Sequence, residues 1–303
     1  MNINNNFTPL AWHQSNIELQ SNRASYAFGH VVPLIASSRT LIPFQIITEQ
    51  GMIDVGDCDV RLCNIDGTDA VGENLWDRIG MVLVPNKYGY DVLIYNGTDI
   101  TPGLPIGQYY LTLTSGNNSW YSDVVTIVAD VSKLTKISWY NVVDQRFGAG
   151  YIVYRWARHG EVFGYQNWMY FMEEIGMPEY TVEEEGDTRD GLFYASKILS
   201  GKKYKMQVAQ LTEAMCDALR FVHLSDYVTV RDGYGRVYNC DSVLVTPEWI
   251  NGGAVASATI EITTDTFVKQ IGGGYEGDSP IIPGETGEIG RGVIGVTLVL
   301  GSN

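Results

Sequence analysis

Basic charge is scarce in this sequence. Twenty lysines and arginines stand against 35 aspartates and glutamates, a formal net charge of −15. A surface so acidic repels phosphate backbones, so no specific nucleic-acid partner is expected. Cysteine is scarce too. Cys58, Cys63, Cys216 and Cys240 are too few to staple 303 residues with a disulfide framework. Cys58 and Cys63 are five apart in CDVRLC. That is not the CxxC spacing of a zinc or redox site, and along a strand it sets them on opposite faces. All four read as reduced thiols in a protein made in the cytoplasm. No apolar run approaches the ~20 residues that span a bilayer. MNINNNFTPLAWHQ has neither the basic nor the apolar region of a secretory leader. No membrane insertion is expected.

Catalytic groupings are missing as well. His13, His30, His159 and His223 are scattered, with no H-E-x-x-H or H-x-H spacing, and no G-x-S-x-G occurs. GGGYEG at 272–277 fits the letters of a dinucleotide fingerprint. However, Pro280 and Pro283 follow where a helix should open, so it reads as a linker. Asp57 and Asp59 are followed by Arg61 where a calcium loop would need a third ligand. Glu183, Glu184, Glu185, Asp187 and Asp190 surround Gly186 without a histidine or an alternating frame; they read as a solvated turn between two strands. SGKKYK at Ser200–Lys205 is the nearest approach to a basic cluster and reads as a solvated strand edge. The sequons at Asn96 and Asn117 carry no meaning without secretion. No catalytic, cofactor-binding or metal-binding residue is assigned, and no cofactor is expected.

What is present is β-forming sequence. Apolar residues make up 45%, and 33 glycines with 19 tyrosines favour many turns and strands. After residues 1–40, an arm or set of lead-in strands, the alternation becomes regular. LIPFQIIT, CDVRLCNI, MVLVPN, YDVLIYNG, GQYYLTLTSG and SWYSDVVTIV follow one another, with turns at Asp66-Gly67, Asn96-Gly97 and Ser115–Asn118. The last two should form a hairpin, with Tyr109, Leu111 and Leu113 on one face and Tyr110, Thr112 and Thr114 on the other. Residues 41–130 thus read as a small antiparallel sandwich and resemble an immunoglobulin or fibronectin-type module.

The polar ADVSKLTK, 129–136, marks a boundary, and a second β domain covers 133–271. Its first part, 137–180, is rich in rings: Trp139, Tyr140, Tyr151, Tyr154, Trp156, Phe163, Tyr165, Trp168, Tyr170 and Phe171. Such a row suits core and interface packing, or a sugar-binding platform. Farther on, Leu211, Met215, Ala218, Leu219 and Val222 recur at helical spacing and predict one amphipathic helix over about 212–223. Thr212 is its N-cap, Glu213 suits its first turn, and His223 is expected to meet its last carbonyls. Three turns cannot stand alone, so the helix must lie on a sheet. Lys203–Ala209, Tyr227–Val230 and Arg236–Val245 supply the strands, with RDGYGR as a hairpin turn and ASATIEITTDTFV as the closing strand.

The order KKYKMQVAQ, TEAMCDALRFV, DYVTVRD, GRVYNCDSVLV, GGAVASATIEITTD over about 180–268 resembles the tail-hub domain of distal-tail and baseplate hub proteins of tailed bacteriophages and prophages. Arg189-Asp190-Gly191, Ala218-Leu219 and Gly235–Tyr238 carry the resemblance. It implies a mainly β chain, an Ig-like sandwich followed by a β-sandwich hub with one flanking helix. It also implies a virion structural protein, not an enzyme. Copies would join edge to edge in a ring-like homo-oligomer docking other tail or baseplate proteins, assembled in the host cytoplasm and carried in the virion tail. In that family the hub domain usually comes first; here it comes second. The alternatives are a carbohydrate-binding or adhesin protein that meets a host-surface glycan through the 137–180 rings, and a glycan-cleaving enzyme. Residues 272–303 read as a glycine-rich linker and a terminal strand, VIGVTLVL at 293–300. That strand either adds to a neighbouring subunit or folds back on its own.

Overall fold

A computed structural model of the chain describes residues 8–14, 34–86, 90–140, 145–147, 151–153, 166–249, 255–264 and 268–271. The chain is mainly β. The predicted strands of the first region appear as β3 (Phe44–Glu49), β4 (Cys58–Asn64), β5 (Val82–Asn86), β6 (Tyr90–Tyr95) and β7 (Gly107–Ser115). The lead-in residues also contribute: β1 (Trp12–His13) and β2 (Ile35–Ser37) are hydrogen-bonded into the sheet of β4 and β7.

SWYSDVVTIV is not one strand but two, β8 (Asn118–Ser122) and β9 (Val125–Val128). Both lie on one edge of β7, β9 against Gly107–Tyr109 and β8 against Thr112–Ser115. The break falls where the Leu111 N–H donates to the Ser122 hydroxyl oxygen, 2.8 Å, and that hydroxyl donates to the Asp123 carbonyl. A side chain has replaced a ladder carbonyl, so the strand steps aside and restarts. β4 pairs the other edge of β7 along its whole length. β3, β6 and β5 form the second layer. Period-2 alternation then places Val60, Leu62, Leu111, Leu113 and Trp120 in a core with Phe44, Ile46, Leu93 and Tyr95. Trp12 meets Phe44 across the layers, ring centroids 4.9 Å apart. A one-turn helix, α1 (Trp76–Ile79), has no signature at helical spacing; it ends on Gly80 with φ +71°.

The second region is one eight-stranded sheet. β10 (Thr135–Tyr140), β13 (Asn167–Phe171), β14 (Glu179–Arg189), β15 (Leu192–Thr212), β16 (Tyr227–Arg231), β17 (Val237–Trp249) and β18 (Val255–Thr264) run in the order β13-β10-β16-β17-β18-β15-β14, and β19 (Val268–Ile271) also pairs β15. A small hairpin, β11 (Gln145–Phe147) with β12 (Tyr151–Val153), stands between β10 and β13 in sequence.

The predicted helix is α2 (Glu213–Arg220), prolonged by a 3-10 turn over Phe221–Leu224. Thr212 Oγ1 accepts from the Met215 N–H, 3.3 Å, and all five stripe residues are buried. They cover the face of the sheet that carries Met206, Val208, Val230, Ile260 and Ile262. The opposite face, with Lys203, Lys205 and Glu261, is half open to water, as antiparallel sheets allow.

Two expectations give way here. SGKKYK is not the sheet's outer edge: β14 pairs one side of β15 up to Lys203, and β19 (to Ser200) and β18 (from Lys203) pair the other, so Ser200 and Lys203 have strands on both sides and the residues between and after them on one. Two of its three lysines are matched to carboxylates, and Lys202 lies over the Tyr180 ring. Lys203 pairs with Glu261, and Lys205 Nζ lies 3.1 Å from Glu179. Nor do Glu183, Glu184, Glu185 and Asp187 make a turn. They lie inside β14, with a register shift between Glu185 and Gly186. The turn itself is Asp190-Gly191, with φ +52° and +78°; two left-handed residues in succession are what a tight hairpin requires. The linker 272–292 and the terminal segment 293–300 lie outside the described residues.

Candidate assembly surface

The aromatic row resolves into packing wherever it is described. Trp139, 1% exposed, joins Ile137, Met169 and Phe171 beneath α2. Trp168, 6% exposed, points to the other face with Tyr170, where Ile35, Val128, Val131 and Leu134 meet it. Tyr140 stacks on Tyr227, centroids 5.0 Å apart. Neither Trp139 nor Trp168 offers an open ring to a sugar. Tyr154, Trp156, Phe163 and Tyr165 lie outside the described residues, and so does any account of the Tyr151 side chain.

Trp168 joins the two regions. Its ring lies on Gly97 of the sandwich so closely that a Cβ there would stand 1.8 Å from Trp168 Cη2. Gly97 also has φ +79°, so position and conformation both demand glycine. Lys136 lies over the Trp168 ring, its Nζ 4.1 Å from the centroid. Burial, and then the Arg231 guanidinium, push the Lys136 ammonium down to about 8; the electron-rich ring beneath it works the other way. Beside this junction lies a shallow apolar depression of ≈ 210 Å³, lined by Ile35, Tyr170, Phe171, Glu173, Val208 and Met215. Ligand pockets usually span about 300–1,000 Å³, so this one suits little more than a side chain.

The remaining polar motifs are occupied with holding the fold. Arg61 Nε donates to both oxygens of Asp59, and its Nη1 to Asp69, 3.1 Å. Asp54 caps the short turn at Val55–Asp57. Cys58 and Cys63 are both buried, and all four cysteines are free thiols. His13 Nε2 is 2.8 Å from Asp123 Oδ1, fastening β1 at the β8–β9 break. His223 does not cap the helix. It is exposed, and the carbonyls of Ala218, Leu219 and Phe221 are met by the Phe221 N–H and the Ser225 hydroxyl. His30 and His159 lie outside the described residues. RDGYGR is organised by Asp232, which is buried. Its carboxylate accepts from the N–H groups of Tyr234 and Arg236, from Arg236 Nε at 2.6 Å and from the Tyr238 hydroxyl. Burial works against that carboxylate, but the Arg236 and Tyr234 donors hold it below the usual aspartate range.

What remains open is the hairpin of β14 and the first half of β15. Before Lys203 none of the described side chains of β15 is buried, and residues 179–188 of β14 are exposed on both faces. Tyr180 and Val182 are 69% and 61% exposed and share a face; Phe193 is exposed nearer the tip. β14 is the last strand of the sheet, and among the described residues it pairs only with β15. The sheet's other terminal strand, β13, is buried in all five residues. Sequence reasoning missed this arm, because the signal for it is the acidic run itself: a strand of Glu-Glu-Glu cannot be buried, so it must project. Among the described residues, no three His, Cys, Asp or Glu side chains gather where a metal ion could sit. None of their helices is long and apolar enough to cross a membrane. No family model matches this sequence, and no curated protein shows significant similarity to it.

Proposed function

We propose that the chain is a non-enzymatic structural component of a bacteriophage or prophage tail or baseplate. It forms a ring-like homo-oligomer in the virion tail and docks other tail proteins, with an Ig-like sandwich attached to a tail-hub-like domain. The observation that carries this reading is the asymmetry of the eight-stranded sheet. One end is sealed by the sandwich, and the other ends in β14, exposed over residues 179–188. A bare edge is a hazard to a monomer and an asset to an assembly, where it pairs with a neighbour. The order of strand, single helix, strand and hairpin over residues 203–264 agrees with the hub resemblance. Native mass measurement across a concentration series, with negative-stain imaging, tests the reading. A discrete multimer with a central opening is expected. A protomer at every concentration that binds a glycan saturably would replace this reading with the adhesin.

A further inference from the structure

We propose that the outer edge of β14 in one copy pairs with the outer edge of β19 in the next, so that copies join head to tail through their arms. This rests on the assembly reading above and names the two edges that carry it.

At the level of Val182–Glu185 the arm is three strands wide. β15 contributes Lys197–Ser200 between them, and β19, Val268–Ile271, lies on its far side. Among the described residues, β14 and β19 pair with β15 alone. Both are antiparallel to β15, so they run parallel to each other on opposite sides of the arm. A neighbour rotated about an assembly axis can bring its β14 to this copy's β19 with the two strands parallel.

Charge decides between this pairing and a two-fold one. β14 carries five carboxylates (Glu179, Glu183, Glu184, Glu185 and Asp187) against one arginine, Arg189. β19 is Val-Lys-Gln-Ile, with a lysine and no carboxylate. A β14–β14 contact would set two acidic rows side by side, and like charges on adjacent strands are destabilising. A β14–β19 contact puts the acidic row beside the strand that bears Lys269. Such a contact is heterologous, and it closes into a ring when the rotation between copies permits. It also gives Tyr180 and Val182 a neighbouring strand to pack beside.

The test uses the full-length chain. Val182→Cys is combined in turn with Val268→Cys, Lys269→Cys and Gln270→Cys, then mildly oxidised beside the wild type and the single variants. Within one copy β14 and β19 are two strand spacings apart, about 9–10 Å, which is beyond the reach of a disulfide. A covalent ladder from at least one pair, with none from the singles, is the expected result. Dimers from Val182→Cys alone would show two-fold pairing and overturn the proposal. A multimer by native mass with no ladder overturns the edge assignment and leaves the assembly reading standing; a protomer at every concentration overturns both. As a second measurement, Glu183→Lys with Glu184→Lys should raise the concentration for half-assembly about tenfold. Lys269→Glu in that background should lower it again. Assembly indifferent to both changes would refute the charge argument.

Discussion

β13 and β14 are the two outermost strands of one sheet, and their surroundings are opposite. β13 reads Asn-Trp-Met-Tyr-Phe and is buried on both faces, under α2 on one and the sandwich on the other. β14 reads Glu-Tyr-Thr-Val-Glu-Glu-Glu-Gly-Asp-Thr-Arg and is exposed on both over residues 179–188. Among the described residues each is bonded to a single neighbouring strand, so backbone pairing does not separate them. Side-chain chemistry does: rings and a thioether draw a covering layer, and a carboxylate row repels one. The covered end therefore carries the stability of the fold, and the bare end is free to serve another purpose.

The sharpest way to break this contrast is to put charge under the cover. Met215→Asp buries an unpaired carboxylate against the sheet and should cost about 4 kcal/mol or more in a denaturant titration. If the helix region melts while the sandwich stays folded, the two are separate cooperative units; a single transition would make them one. Next is the seal between the regions. Gly97→Val sets a branched side chain into the Trp168 ring at positive φ, and it should cost about 3–4 kcal/mol. In a Trp168→Ala background the same change should cost measurably less, because the obstacle is gone.

Asp232→Ala removes the acceptor for four hydrogen bonds at the β16–β17 turn and should cost about 2–3 kcal/mol. Its folded pKa lies below the unfolded value. The stabilisation is therefore complete above about pH 4 and is lost as pH falls through the lower folded value. Asp232→Asn should flatten that acid limb. At the sealed end, Lys136 titrates lower in the folded chain than in the unfolded one, about 8 against the ordinary 10.5. Between those values the unfolded chain holds more protons, so stability rises with pH. Lys136→Met should be the more stable at pH 7, by about 1 kcal/mol once the opposing ring attraction is counted. The advantage should shrink toward pH 10. The smallest effect belongs to the bare end: Val182→Asp should leave protomer stability within about 0.5 kcal/mol. A large loss there would mean that the arm is part of the core.

Much of the fold was legible because much of it is local. The five-residue stripe from Leu211 to Val222 fixed the helix, its cap and its buried face. The Asp-Gly and Tyr-Gly pairs of RDGYGR fixed a turn. What eluded the sequence is set by partners far along the chain. What Lys203 and Lys205 meet is set by Glu261, on a strand far along the chain. Whether SWYSDVVTIV is one strand or two depends on Leu111 reaching for a hydroxyl. Asn96-Gly97 announced a turn, but nothing nearby announced the tryptophan that would rest on it. The arm was misread because an acidic run was taken for a loop, when strand pairing at an exposed position tolerates charge well.

The length of β15 has a mechanical consequence. Its 21 residues extend roughly 70 Å at 3.3–3.4 Å each, and one unbroken backbone runs from the arm's tip to the start of α2. A pull on the tip acts along that backbone. The hydrogen bonds to β14, β18 and β19 are then strained sideways and together, not opened one after another like a zip. A tension applied at the arm is thus passed whole into the covered body of the protein, where Leu211 and Thr212 hand it to the helix.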